Sequence, residues 1–163
     1  MTVDEFKRTF LPCSRRLYWA ACRLTGSSHD ADDLVQETML RLWVKRDEIG
    51  KMQSAEAYGI VTMRRIYFDR QRLRHPDIVD DLADIASTAT PLTDYERGER
   101  AEMVREQIAR LPERQRELIT LRDICDLSYD EISAQTGMTV TNIRTAISRA
   151  RKTLKEKLSE KLK

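Results

Sequence analysis

The segment from Ser128 to Arg151, SYDEISAQTGMTVTNIRTAISRAR, constrains the fold of this chain more than any other stretch. Its apolar residues recur at helical spacing on both sides of Gly137, whose backbone freedom suits a sharp turn. We expect Ile132 and Ala134 to give the first helix its buried face, and Thr139 to cap the second helix. This layout is a helix-turn-helix, in which the N-terminal part of the second helix enters the major groove of DNA. From this segment alone, a solvated helix pair within a bundle remains the alternative.

The second helix of this segment separates apolar residues from polar and basic ones. Its inward residues are predicted to be Val140, Ile143, Ile147, Ala150 and Leu154. The outer faces carry side chains that can hydrogen-bond base edges or contact phosphates. These DNA-binding candidates are Thr141, Asn142, Arg144, Thr145, Ser148, Arg149, Arg151 and Lys152.

Composition and charge distribution support an all-α fold with a polyanionic partner. Five glycines and four prolines among 163 residues leave little room for a turn-rich β fold, and a hydrophobic content of 40% is enough for helical cores. The net charge of +2 conceals a segregation of charge: residues 76–96 carry six acids and no Lys or Arg, whereas residues 137–163 carry eight bases and two acids. Such asymmetry predicts that the basic segments meet a polyanion.

Several functional classes find no support in the sequence. Asp4, Glu5 and Lys7 interrupt any apolar run of the signal-peptide type, and no apolar stretch approaches the ~20 residues of a membrane span, so we expect a cytoplasmic protein. Three cysteines without CxxC spacing and two isolated histidines predict no metal site. There is no Gly-rich phosphate loop and no nucleophile–histidine–acid pattern, so we expect neither an enzyme nor a cofactor.

The first predicted block, residues 1–76, reads as a bundle of three or four amphipathic helices. Pro12 predicts a break near Phe10 or Leu11. Ser28 or Asp30 is expected to cap the next helix. Its buried stripe would consist of Leu34, Val35, Met39, Leu42 and Trp43. A third helix is predicted to begin near Ser54, to become arginine-rich, and to end at Pro76.

An acidic connector and a second block complete the chain. Residues 77–94 are rich in acids, Ala, Ser and Thr without aromatic anchors, which predicts an extended, flexible linker. The second block, residues 95–163, should hold four helices. Pro112 would occupy the first position of its second helix, with Leu118, Ile119 and Leu121 inward. The predicted architecture is therefore two small helical domains, and their relative placement stays open.

Five strings in this order resemble one known family: DADDLVQET at 30–38, LRLW at 40–43, LPERQRE at 111–117, LSYDEI at 127–132 and SRAR at 148–151. The family is the extracytoplasmic-function (ECF) sigma factors of the sigma-70 group, the promoter-recognising subunits of bacterial RNA polymerase. The resemblance covers nearly the whole chain. It implies that the protein binds core polymerase at the clamp helices of the largest subunit and at the flap, and binds promoter DNA. It also implies control by an anti-sigma protein, often membrane-bound.

The resemblance also implies a task for each surface. The helix of the DLVQET string would dock on the clamp helices through Asp32, Asp33, Gln36, Glu37 and Arg41. The third helix would bind and help melt the −10 element, with phosphate candidates Arg64, Arg65, Arg70, Arg72 and Arg74 and stacking candidates Tyr67 and Phe68. The last helix would read the −35 element as a duplex. Arg65 stands where the family commonly has Asn, and Ala146 stands where many relatives carry a basic residue.

Three other functions compete with this interpretation. A sigma-like adaptor that binds a regulator without reading DNA would have no need of the basic residues on the third and last helices. A dimeric helix-turn-helix regulator leaves the first block unexplained. A recombinase built on this helix-turn-helix lacks a nucleophile constellation.

Overall fold

The computed structural model describes residues 1–49, 52, 54–74 and 95–161, with the side chains of 95–97 left out. Every regular element in those ranges is helical, which confirms the all-α expectation. The acidic connector predicted for residues 77–94 lies outside the described residues, as does Pro76.

Four helices form the N-terminal block: α1 (Val3–Phe10), α2 (Ser14–Thr25), α3 (Ser28–Val44) and α4 (Ala55–Arg74). A 3₁₀ turn at Leu11–Cys13 separates α1 from α2, so Pro12 breaks the helix where predicted. The predicted cap of α3 is wrong by one residue or more. Ser27 has the extended backbone of a cap and accepts a hydrogen bond from the Asp30 amide at 3.3 Å, whereas Ser28 is already helical.

Four helices form the C-terminal block: α5 (Tyr95–Ala109), α6 (Glu113–Ile119), α7 (Tyr129–Thr136) and α8 (Val140–Lys161). A π-helical turn at Thr120–Ile124 continues α6. Pro112 is not the first helical residue, as the sequence predicted, but the cap before it. Its ψ of 146° is extended, and its carbonyl accepts from the Arg116 amide.

The helix-turn-helix is confirmed, with one correction to its buried face. Gly137 ends α7 at φ 75°, and the Thr139 hydroxyl accepts from the Asn142 amide at 3.2 Å as the cap of α8. Ile132 is fully buried, but Ala134 is exposed. Residues i and i+2 of a helix are about 200° apart around its axis, so Ile132 and Ala134 cannot share one face.

The two blocks share a hydrophobic core. One continuous cluster joins Leu17, Leu34 and Ile60 of the N-terminal block to Leu121 and Ile132 of the C-terminal block. A second cluster, within the C-terminal block, packs α5 and α8 around Ile119. The relative placement that the sequence left open is therefore a closed one in this structure.

Substitution of two glycines that share a left-handed backbone conformation tests the contact between Gly26 and Arg105. Gly26, between α2 and α3, has φ 72°, and a Cβ built there would lie 2.2 Å from Nη2 of Arg105 on α5. Gly137 has φ 75°, with nothing within 4 Å of its Cβ position. We expect Gly137→Ala to lower the free energy of unfolding by about 1–2 kcal/mol, the cost of a left-handed alanine. Gly26→Ala should cost slightly more, because the Arg105 guanidinium, at the end of a flexible side chain, must also shift.

Urea unfolding would measure both losses in the wild-type background and with Arg105→Ala. The excess cost of Gly26→Ala should disappear when Arg105 is alanine. Equal losses for the two glycine variants in the wild-type background would contradict the contact.

Candidate polymerase and nucleic-acid interfaces

The outer face of α8 presents all eight predicted DNA-binding side chains to solvent. They are Thr141, Asn142, Arg144, Thr145, Ser148, Arg149, Arg151 and Lys152. Burial of Ile143, Ile147, Ala150 and Leu154 fixes the rotation of the helix about its axis, and Val140 is half-buried. The polar residues therefore point outward because the apolar stripe anchors α8 to α5, α6 and α7.

Tyr129, the first residue of α7, holds two arginines over its ring. The Cζ atom of Arg144 lies 5.0 Å from the ring centroid and that of Arg122 lies 4.4 Å from it. Arg122 is fixed in turn, because its Nη1 donates to the Leu127 carbonyl at 2.9 Å. These cation–π contacts orient the Arg144 guanidinium on the outer face of α8 before any DNA is bound.

Asp123 forms an ion pair with Arg151, one of the residues predicted to contact phosphates. Nε and Nη2 of Arg151 donate to its two carboxylate oxygens at 2.9 and 2.5 Å. The hydrogen bonds to Asp123 and its negative charge raise the pKa of the arginine above its ordinary value. Arg151 is therefore committed to a bidentate pair, unlike Arg149 and Lys152 on the same helix.

The polar face of α3 is open to solvent. Asp32, Asp33, Gln36 and Arg41 are exposed, and Glu37 is half-buried. Burial of Leu34, Thr38 and Leu42 sets this face outward. Leu40 and Val44 add exposed apolar surface, with 62% and 69% of each residue accessible. A helix face that mixes charges with exposed apolar side chains is suited to a protein partner.

The five arginines predicted for the −10 element occupy three different environments. Arg65 and Arg74 are exposed. Arg70 pairs with two acids of α3, Asp33 at 3.0 Å and Glu37. Arg64 and Arg72 pair with acids of α6.

One face of α4, which we call the closing face, consists of Arg64, Phe68 and Arg72. Nη2 of Arg64 lies 3.7 Å from Oε1 of Glu117, and Nη2 of Arg72 lies 3.6 Å from Oε1 of Glu113. Between these pairs, the Cζ atoms of Arg64 and Arg116 lie 5.7 and 5.2 Å from the Phe68 ring centroid. The spacing of i, i+4 and i+8 aligns the closing face along α4, where the long side chains of α6 reach it.

The Arg64–Glu117 pair is the buried part of this contact. The side chains of Arg64 and Glu117 are 11% and 15% exposed. Burial lowers the pKa of Arg64, and the Glu117 carboxylate opposes that shift. The Arg72–Glu113 pair, at 62% and 78%, is surface-exposed and contributes little to stability.

Arg16 of α2 forms a second bridge between the blocks. It pairs with Glu56 of α4, and its Nη2 lies 3.7 Å from Oε2 of Glu131 on α7. The same nitrogen donates to the carbonyl of Asp126 at 3.1 Å. Asp126 has φ 62°, a left-handed conformation that Asp tolerates better than most residues. The turn before α7 is thus bound to the N-terminal block through its backbone.

Four site residues have no role in the predictions made from the sequence: Tyr129, Asp123, Glu113 and Glu117. Each acts across a long sequence separation, and the charge runs and helical periodicity along the chain describe only local neighbours. Tyr67, a stacking candidate in the sequence, is half-buried, and burial raises its pKa to about 12.

Within the described residues, no helix is long and apolar enough to cross a membrane. The same residues hold no group of three or more His, Cys, Asp or Glu side chains placed to bind a metal ion.

Sequence models of two protein families match this chain and identify its class. The sequence model of sigma-70 region 2 matches residues 10–76, and that of sigma-70 region 4 matches residues 101–154. The first match includes α2–α4 and the second runs from within α5 into α8, so the chain carries the two regions in order.

Individual relatives identify the group of sigma-70 proteins to which the chain is similar. The ECF RNA polymerase sigma factor SigF of Caulobacter vibrioides is 32% identical over 143 residues, which span 83% of this chain and 75% of that protein. SigW of Bacillus subtilis, also an ECF sigma factor, is 29% identical over 161 residues, spanning 89% and 84%. This chain belongs to the ECF sigma factors of the sigma-70 family. It is a promoter-specific transcription initiation factor, and its family consists of transcription regulators rather than enzymes.

Solved structures that share the fold include the following two. RpoE of Bartonella quintana, in complex with the anti-sigma factor NepR, gives a TM-score of 0.60 at 25% identity, covering 96% of this chain and 98% of that one. CnrH, in complex with the cytosolic domain of CnrY, gives 0.65 at 21% identity, covering 98% and 90%. Both confirm the fold of two helical domains.

The Tyr129 contact predicts a specific loss of −35 affinity. Tyr129→Leu removes the ring under Arg144 and should weaken binding to −35 duplex DNA about two- to fivefold, as expected for an exposed cation–π contact. Tyr129→Phe keeps the ring and should bind nearly as wild type. Fluorescence anisotropy with a promoter duplex measures both. In an Arg144→Ala background the Leu substitution should have no further effect, and an undiminished loss there would contradict this role.

The Asp123 pair predicts a change in salt dependence. Asp123→Ala frees Arg151 for a phosphate, so the slope of log binding constant against log salt concentration should steepen by about one. Asp130→Ala, which removes an exposed acid of α7, is the charge-matched control and should leave the slope unchanged. An equal change in both variants would show that net charge alone is responsible.

Proposed function

We propose that residues 1–76 bind core polymerase and the −10 element, that residues 95–163 read the −35 element, and that residues 77–94 connect them. The observation that carries this division is the outward basic face of α8 in one block and the outward polar face of α3 in the other. The matches to regions 2 and 4 begin and end near the same limits and support it.

The polar face of α3 is the proposed polymerase-docking surface. Asp32 and Gln36 are exposed one helical turn apart, with Leu40 on the following turn. Charged residues around exposed apolar ones provide both steering and buried contact area. Glu37 has a second role, because it pairs with Arg41 at 3.6 Å and with Arg70 of α4.

The outer face of α8 is the proposed −35 reader. Near its N-terminus, Asn142 and Arg144 have the donors and acceptors that recognise adenine and guanine in the major groove, each worth about 1–3 kcal/mol of discrimination when bidentate. Arg149 and Lys152, farther along, are placed to contact phosphates, which contribute affinity without sequence information.

The arginine-rich half of α4 is the proposed −10 surface. Arg65 and Arg74 are exposed as the structure stands. Arg64 is buried and becomes available to a DNA strand only after Glu117 leaves, whereas the acids paired with Arg70 and Arg72 would compete with a strand for these two more exposed arginines. Guanidinium groups along one helix can follow a single-stranded backbone, which is what holding a melted −10 element requires.

We further propose that an anti-sigma protein controls this factor, since RpoE of Bartonella quintana, which shares its fold, was solved in complex with the anti-sigma factor NepR. The site of action would be the cytoplasm, where the polymerase is. The protein would have no catalytic activity of its own.

Run-off transcription with purified core polymerase, on a supercoiled library of promoters from the source genome, tests this proposal. Wild-type protein should give discrete start sites with shared upstream sequences. A protein that neither binds core polymerase nor initiates transcription would contradict the proposal.

Two variants test the assigned surfaces in the same assay. Asp32→Ala/Gln36→Ala should lower transcription at every promoter in step with core-polymerase binding, because both side chains lie on the exposed face of α3. Arg144→Ala should lower transcription by a factor that depends on the −35 sequence, with core binding unchanged. Uniform loss for Arg144→Ala would show that it does not read bases.

A further inference from the structure

We infer that the acidic face of α6, Glu113 and Glu117, is an intramolecular ligand of the closing face of α4, and that it competes with single-stranded promoter DNA for the same arginines. This inference rests on the proposed −10 role of α4.

The two faces match along their length. Arg64 pairs with Glu117 and Arg72 with Glu113, so the partners run in opposite order along the two helices, as in an antiparallel pair. Phe68, between the two arginines, is covered by Arg116 from the same side of α6. Two ion pairs and one ring contact therefore coincide on a single strip of α4.

Carboxylates occupy the positions that phosphates would need. A carboxylate and a phosphate are recognised by the same planar donors of a guanidinium, so an acid held against an arginine competes with a phosphate for that arginine. Arg64, with its side chain 11% exposed, is inaccessible to a DNA strand while Glu117 covers it. Binding of DNA to the closing face requires α6 to move away.

The Arg64 guanidinium makes the closed arrangement sensitive to Glu117. Within the described part of the chain, Nε of Arg64 has no hydrogen-bond partner, so its buried charge depends mainly on Glu117. Removing one member of a buried ion pair leaves an uncompensated charge and is strongly destabilising. Opening the two blocks returns that charge to water, so loss of Glu117 favours the open form.

The closed form covers one proposed surface and leaves the other free. Asp32, Asp33, Gln36 and Arg41 of α3 stay exposed, while Arg64 is buried, Phe68 is half-buried, and Arg72 is exposed but paired with Glu113. Polymerase can therefore dock on the closed protein, and the −10 strand can bind α4 only after α6 is displaced. The outer face of α8, where duplex DNA would bind, is exposed in the closed form.

Cys125 reports the state of this junction. It is 3% exposed, and the nearby charges of Arg64, Arg23 and Arg16 all come from the N-terminal block. Burial raises the pKa of its thiol to about 12. A thiol that is both protonated and covered reacts slowly with alkylating agents, and opening the blocks would uncover it.

The test compares the full-length double variant Glu113→Gln/Glu117→Gln with Glu99→Gln/Glu156→Gln. The second pair removes two exposed acids from the same block and so matches the change in net charge. The probe is a fluorescent oligo-dT strand, whose binding depends on backbone contacts and base stacking, without a promoter sequence. Alkylation of Cys125 by iodoacetamide, followed by peptide mass spectrometry, measures opening independently.

If the closed form outweighs the open form about tenfold, the first variant should bind oligo-dT about tenfold more tightly than wild type. Its Cys125 should be alkylated faster, and the control variant should match wild type in both measurements. Adding Arg64→Ala and Arg72→Ala to the first variant should remove the gain in affinity. An equal gain in the control variant, or unchanged affinity and alkylation in the first, would overturn the inference.

Failure of this inference is distinguishable from failure of the proposed function. If wild-type protein directs promoter-specific transcription while the double variant shows no gain in strand affinity or alkylation, only the competition is wrong. If wild-type protein directs no transcription with core polymerase, the function itself is wrong.

Discussion

The ion pair between Arg64 and Glu117 is the constraint on which the arrangement of this protein depends. It lies where the two helical blocks meet, with both side chains largely buried. A buried guanidinium is costly to desolvate, and a single carboxylate compensates it only while the blocks stay together. The shared core of Leu17, Leu121 and Ile132 supplies the apolar contact around it. Opening this junction would separate the ion pair and would also expose part of the shared core.

The remaining surfaces divide by chemistry between the two blocks. The face of α3 around Asp32 and Gln36 mixes acids, an amide and exposed apolar side chains, which suits a protein partner. The face of α8 around Arg144 and Arg149 is basic and polar, which suits DNA. The overall charge of +2 reflects nearly equal numbers of basic and acidic residues, and some acids pair with arginines far along the chain, as Asp123 does with Arg151. Segregation of charge, rather than its sum, carries the function.

Much of the fold follows from local patterns in the sequence. Pro12, Gly137 and Thr139 each mark a boundary for which their backbone or side chain provides a local reason, and the structure uses all three as predicted. The errors are also local. The sequence predicts Ser28 or Asp30 as the cap of α3, and the structure uses Ser27. Neighbouring serines have equal capping chemistry, so the sequence does not distinguish them. The prediction that Ala134 is buried together with Ile132 is wrong, because their spacing of two residues does not fit one face of a helix.

The candidate site was only partly predictable. Exposure of the polar residues of α8 follows from its apolar stripe, so the candidates there all lie on the surface. The state of Arg64 and Arg72 does not follow from the sequence of α4, because their partners lie more than forty residues away on α6. An arginine-rich helix end looks the same in sequence whether its charges face solvent, DNA or another helix. Tyr129 likewise gains its role from the arginines that the fold places over its ring.

A cryo-EM structure of this protein with core RNA polymerase and a melted promoter would test the central claim most directly. The account predicts α3 docked on the polymerase, α8 in the −35 duplex, and α4 holding a single strand with Arg64 separated from Glu117. A transcribing complex in which Arg64 is still paired with Glu117 and Arg72 with Glu113 would contradict the account.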